Sequence, residues 1–155
     1  MAREYSDSIR PSEARLPCLV VDSGSPTASV ALALPGGEPI ERRLPQRQSS
    51  RELLLVVREI LTEASLNPGE LGSLIGLRGP GSFTGLRVGL SMLLGLHEAL
   101  DLPTTGISTL ETLAWHSWES LPEGATVVAA VDAMRGEWFL QPFRLLASAL
   151  PEPLD

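Results

Sequence analysis

Apolar residues fall along this chain in two rhythms: short continuous runs closed by turn residues, and longer stretches spaced for helices. Cys18-Leu19-Val20-Val21 is a continuous apolar run ending at Asp22, the pattern of a central strand. Ser23-Gly24-Ser25-Pro26 turns it, and residues 27–34 return as a second strand. Gly36-Gly37 makes the next hairpin. Residues 39–44 read as a third, more exposed strand, with Pro39 and Pro45 at its ends where proline is tolerated. Ser49-Ser50-Arg51-Glu52 then has capping-box spacing and predicts a helix over 50–64. Leu53, Val57, Ile60, Leu61 and Ala64 share a face of it. Leu54, Leu55 and Val56 widen the apolar surface beyond what one sheet would bury.

Asn67-Pro68 marks a short turn, and Leu74-Ile75-Gly76-Leu77-Arg78 is the next strand. The chain must turn at Gly79-Pro80-Gly81, because proline cannot continue a ladder and glycine admits backbone angles closed to other residues. Ser82 or Thr84 can cap the helix that follows. That helix is apolar on nearly every side, through Leu86, Val88, Leu90, Met92, Leu93, Leu94, Leu96, Ala99 and Leu100. Gly85, Gly89 and Met92 share a side of it, and each mid-helix glycine costs about 1 kcal/mol relative to alanine. Something is therefore expected close against that side, either a helix of this chain or a second subunit. The expected partner-binding set is Leu53, Leu54, Val57 and Ile60 of the first helix with Gly85, Leu86, Gly89 and Met92 of the second.

Residues 104–107 read as a short strand, and Ser108-Thr109-Leu110-Glu111 as a second capping box opening a helix to about Glu119. After residues 121–124 the pattern starts afresh, with strands over 126–131 and 137–143, then a tail carrying Pro151 and Pro153. Residues 1–16 alternate charged and polar groups without apolar periodicity and read as a disordered leader. The expected division is that leader, an α/β lobe over 17–122, and a partial second lobe over 123–155.

Two nucleotide motifs nearly fit the glycine turn and fail. A P-loop needs Gly-x4-Gly-Lys-Ser/Thr, but Gly76 and Gly81 are followed by Ser82 and Phe83; after Gly79-x-Gly81, Gly85 comes one residue too late for the dinucleotide fingerprint. The stretch instead resembles the signature of the TsaB (YeaZ) family: Gly79, Pro80, Gly81, Ser82, Phe83, Thr84 and Gly85, followed by Arg87. Three further blocks are similar and in the same order: Val20-Val21-Asp22-Ser23, residues 103–113 with Pro103, Gly106, Ser108, Leu110 and Glu111, and the hairpin from Val131-Asp132-Ala133 to Arg135-Gly136-Glu137. The resemblance implies an actin-like ATPase (ASKHA, ribonuclease H-like) N-terminal lobe of α/β class with an incomplete second lobe. It implies a non-catalytic dimerisation subunit that pairs with a TsaD-like protein through the first two long helices of each. The complex would support threonylcarbamoyl transfer to N6 of adenosine 37 of tRNA, with a TsaE-like ATPase in attendance and tRNA bound only through the complex. Asp22 and Ser23 resemble the first phosphate turn of actin-like ATPases, as a vestigial nucleotide turn. The opposing second turn has no counterpart, so no cofactor is expected, and no ATP binding by this chain alone. Two departures stand out: Ser49-Ser50 where the family often has His-Ser, and the short second lobe.

Charge and composition narrow the picture further. Net charge is −7 with all 12 basic residues arginine, which makes the chain alone a poor binder of phosphate backbones. Arg42, Arg43, Arg47, Arg51 and Arg58 cluster, but Glu41, Glu52 and Glu59 are interleaved, as on a solvated surface. His97 and His116 lie nineteen positions apart with no carboxylate or thiolate at ligand spacing, so no metal site is expected. No Ser/His/Asp arrangement or Gly-x-Ser-x-Gly elbow is present. Cys18, the only cysteine, reads as a buried thiol. The longest uncharged apolar run is too short to span a bilayer, and the cytoplasm is the default address. Two alternatives to the accessory subunit stand beside it: a small kinase-like ATPase of the actin-like superfamily, and a homodimeric scaffold without a tRNA role.

Overall fold

The structure, a computed structural model, describes residues 14–44, 50–134, 136–146 and 150–154. It divides into two compact units, the first of residues 1–77 and 82–106 and the second of residues 78–81 and 107–155.

In the first unit, β1 (Cys18–Asp22) is the central strand of a five-stranded sheet. It pairs antiparallel with β2 (Ala28–Ala33), Val21 opposite Val30, and parallel with β4 (Ser73–Leu77), Val20 opposite Ile75. β3 (Ile40–Leu44) lies outside β2, and β5 (Thr104–Ile107) outside β4, giving the order β3-β2-β1-β4-β5. A strand paired on both sides and covered on its faces is largely apolar, as β1 and β4 are apart from Asp22 and Ser73 at their ends; the edge strand β3 instead exposes Glu41, Arg42 and Arg43.

Helices α1 (Ser50–Glu63) and α2 (Phe83–Leu100) pack beside each other against this sheet. Leu19, Val21, Val30 and Leu32 of the sheet meet Leu53, Val57, Ile60 and Leu61 of α1 and Met92 and Leu93 of α2 in one buried core. Full burial of each large aliphatic side chain is worth about 1.5–3 kcal/mol. Arg42 pairs with Glu63 at the outer end of α1, but both side chains are about half exposed, so the pair adds little.

Three expectations change here. The fold takes hold before Pro17: the Arg15 N–H donates to Ser73 Oγ at 3.0 Å, Ser73 Oγ donates to the Arg15 carbonyl at 2.8 Å, and Gly72 N–H reaches the Pro17 carbonyl at 2.8 Å. The remainder of the expected leader, residues 1–13, lies outside the described residues, as does Ser49 of the first capping box.

The second unit holds α3 (Thr109–His116), the hairpin of β6 (Thr126–Met134) and β7 (Glu137–Arg144), and β8 (Glu152–Pro153), with sheet order β6-β7-β8. The expected boundary at residue 122 therefore moves to 106, because α3 buries Ala114 and packs Leu110 against Val127, Ala129 and Phe143 of the hairpin. The proline-bearing tail also supplies a strand that the sequence did not announce. Pro153 and Glu152 stand opposite Phe143 and Arg144, at a sheet edge where proline is tolerated.

Candidate functional site

The signature stretch is a packing junction. Asp22 closes the β1–β2 turn on itself: its Oδ1 accepts from Gly24 N–H at 3.0 Å and from Ser25 N–H at 3.1 Å. The start of α2 then grips that turn. Ser82 N–H donates to the Gly24 carbonyl at 2.8 Å, while Ser82 caps α2 by accepting from Gly85 N–H at 3.2 Å. A side-chain carbon on Gly85 would overlap the Ser23 carbonyl oxygen, and one on Gly89 would overlap the Ser23 side chain. One on Gly24 would lie 2.6 Å from Leu86 Cδ2. At the other end of the loop, Gly79 sits at φ 96°, open to glycine at no steric cost, after which the Gly79–Pro80 peptide is cis. Gly79 is buried and its carbonyl accepts from Thr109 N–H at 2.9 Å, so the two ends of the motif serve different units.

These contacts correct the expected partner-binding set. Leu53, Val57, Ile60 and Met92 are 0–6% exposed in the chain's own core. Gly85 and Gly89 face the β1–β2 turn, and Leu86 covers Gly24. Their periodicity was real, but the close neighbour it implied is this chain's own Ser23. Of the eight residues only Leu54 is substantially exposed, at 45%. The solvent side of the two helices carries a different apolar set: Leu54 and Leu55 on α1, Phe83 and Leu94 on α2. Phe83 lies under the Arg87 guanidinium, 5.5 Å from ring centroid to Cζ. Gly95 is exposed, and an added side chain there would meet nothing within 4 Å. Exposed Arg51, Arg58, Glu59 and Glu98 flank these residues with mixed charge.

Titratable groups elsewhere are structural. Burial pushes the Cys18 thiol up, with a hydrogen bond from Ser73 partly opposing it. His97 Nδ1 donates to the Leu102 carbonyl at 2.6 Å, tying down the end of α2 where Asp101 takes a left-handed conformation. Among the described residues no three of His, Cys, Asp and Glu gather to hold a metal ion, and no helix is long and apolar enough to cross a membrane.

A family profile described as "TsaD: tRNA N6-adenosine threonylcarbamoyltransferase" matches residues 40–152. The chain belongs to this family, as a TsaB (YeaZ) member. The tRNA threonylcarbamoyladenosine biosynthesis protein TsaB of Escherichia coli is 38% identical over 120 residues, which cover 77% of this chain and 51% of that protein. Its Haemophilus influenzae counterpart is 38% identical over 122 residues, covering 79% and 51%. The chain thus spans about half the length of these two TsaB relatives. Among solved structures, YeaZ from Pseudomonas aeruginosa superposes with a TM-score of 0.78 at 29% identity, covering 89% of this chain and 64% of its own. With that match, the five-stranded unit is read as an actin-like lobe, as the TsaB-like motifs implied.

Proposed function

We propose that this TsaB-like chain is a non-catalytic subunit that docks on a TsaD-like protein and supports N6-threonylcarbamoylation of adenosine 37 in tRNA. The observation that carries the reading is the set of exposed large apolar side chains on the two helices, Leu54 and Leu55 on α1 and Phe83 and Leu94 on α2. A soluble chain of net charge −7 has no packing reason to leave four large apolar side chains there, beside a glycine with open space around it. Supporting it, the relatives at 38% identity are named for threonylcarbamoyladenosine biosynthesis. The non-catalytic role is supported by the turn at Asp22, whose Oδ1 is engaged by its own backbone while α2 fills the space around Ser23 and Gly24. A phosphate would have to displace that packing. Transfer chemistry, tRNA and the ATPase step then belong to the partners.

The test is threonylcarbamoyladenosine content, measured by mass spectrometry of tRNA hydrolysates from a bacterium depleted of its own TsaB. The chain should restore the modification, and Leu54→Asp should fail to do so while keeping the wild-type circular dichroism spectrum. Equal restoration by both would sink the docking face. ATP turnover by the purified chain, lost in Asp22→Ala, would sink the non-catalytic role.

A further inference from the structure

The signature stretch divides its residues between two tasks. Gly85 and Gly89 pack inward on Ser23, and Ser82 caps α2 while bonding to Gly24, so the start of the helix is held in place. Phe83 and Arg87 do none of this. Phe83 is 72% exposed, the most exposed large apolar side chain among the described residues, and Arg87 lies over its ring. Arg87 has no acidic residue three or four positions away on α2, where a helix would supply its partner. The same pattern holds on α1. Arg51, Leu54, Leu55 and Arg58 recur at spacings of three, four and seven, which makes one exposed stripe with no acid in it. The acids of α1, Glu52, Glu59 and Glu63, fall on a different stripe, and Glu63 pairs with Arg42 of β3. The arginine stripe is therefore turned from β3 toward the flank where α2 packs. Among the described residues no carboxylate pairs with Arg51, Arg58 or Arg87. In a chain of net charge −7, three exposed arginines stand without a counter-charge, each a turn away from a large exposed apolar side chain.

We infer that these helices select their partner by charge as well as by apolar contact: Arg51, Arg58 and Arg87 meet carboxylates of the TsaD-like protein, and Arg87 is the anchor of the set. The inference rests on the docking proposed above and adds the chemistry of the surface that meets it, which is acidic. Arg87 is the anchor because it is preorganised. Its contact with the Phe83 ring restrains it before binding, and that attraction strengthens once a partner excludes water from the exposed ring. A guanidinium presents a planar fork of N–H donors that a carboxylate accepts two at a time. A phosphate accepts in the same way, but a nucleic-acid backbone would leave Leu54, Leu55, Phe83 and Leu94 uncovered and would meet the chain's net negative charge. A protein surface with carboxylates set among apolar side chains answers both the arginines and the leucines.

Calorimetric titration with the TsaD-like protein of the same organism, at about 50 and about 500 mM NaCl, tests this. The wild-type complex should weaken about tenfold between the two salt concentrations. Arg87→Glu should weaken it about tenfold or more at low salt and lose much of the salt response, without lowering the melting temperature of the free chain. Arg87→Lys keeps the charge and loses the fork, so it should keep the salt response and bind about threefold or more weakly. Arg144→Glu, exposed on the second unit, should bind as wild type does. Should Arg87→Glu fail to fold, the paired change Arg51→Glu and Arg58→Glu, expected to have the same effect, decides. Undiminished binding in Arg87→Glu, or a wild-type affinity indifferent to salt, would overturn the selection by charge; if Leu54→Asp still abolished binding, docking through α1 and α2 would stand without it. A wild-type chain that does not bind the TsaD-like protein would overturn both. Normal binding of that protein by Arg87→Glu, with weaker capture of tRNA by the complex, would overturn the inference in favour of a phosphate contact.

Discussion

Alanine at Gly85 separates a glycine that serves the chain's own packing from one that does not. The added carbon would overlap the Ser23 carbonyl oxygen, which is backbone and cannot rotate aside. The start of α2 must retreat, straining the 2.8 Å bond from Ser82 N–H to the Gly24 carbonyl. Overpacking of this kind costs about 1–3 kcal/mol. A weakened hydrogen bond adds about 0.5–1.5 kcal/mol. Alanine's better helix propensity offsets at most about 1 kcal/mol, so Gly85→Ala should lose about 0.5–3.5 kcal/mol. At roughly 2–4 °C per kcal/mol for a chain of this size, that is a fall in Tm of several degrees. Gly95→Ala is the matched control: its new carbon meets nothing within 4 Å, and it should gain about 1 kcal/mol. The assay is ellipticity at 222 nm or calorimetry. Trp115, Trp118 and Trp138 all belong to the second unit, so ellipticity reports on α2 more directly than tryptophan fluorescence does. If Gly85→Ala proves as stable as wild type, or if both alanines behave alike, the glycine does not serve the turn.

Two smaller predictions concern titratable groups. Burial raises the Cys18 pKa, so its contribution to stability is complete below the ordinary thiol pKa and lost as pH rises through the folded value. Iodoacetamide should label it at neutral pH only as fast as the first unit opens; rapid labelling of the native chain would contradict its burial. Glu70 is lowered by the Asn67 backbone N–H and then by the Asn67 side chain, so its contribution is present above the ordinary glutamate pKa and lost as pH falls through the folded value. Exchange at the Asn67 amide should accelerate, beyond the intrinsic pH dependence, across that acidic window in wild type and show no such step in Glu70→Gln.

Much of this fold is legible because its signals are local. The apolar run at Cys18 and the caps at Ser82 and Ser108 act within a few residues of themselves, and β1, α2 and α3 start where they indicate. What the sequence hid depends on distant partners. Glycine spacing shows that Gly85 and Gly89 share a side of α2, but not that Ser23, some sixty residues earlier, fills it. The same reasoning would have pointed outward at Gly95, where the space is open. Likewise α3 was assigned to the first lobe because its mates Ala129 and Phe143 follow later in the chain. Proline at Pro153 gives no strand signal in the sequence, yet the edge position of β8 tolerates it.

In the proposed complex, the exposed apolar side of α1 and α2, rather than the Gly85 and Gly89 side, meets a TsaD-like protein. Calorimetric titration of the chain with the TsaD-like protein of the same organism tests it most directly. Leu54→Asp and Gly95→Leu should each weaken the complex by more than tenfold, or about 1.4 kcal/mol or more, without lowering the melting temperature of the free chain. Val128→Lys, on the second unit, should leave the affinity as it is. Undiminished binding in Leu54→Asp and Gly95→Leu, or no binding by the wild-type chain, would contradict the account.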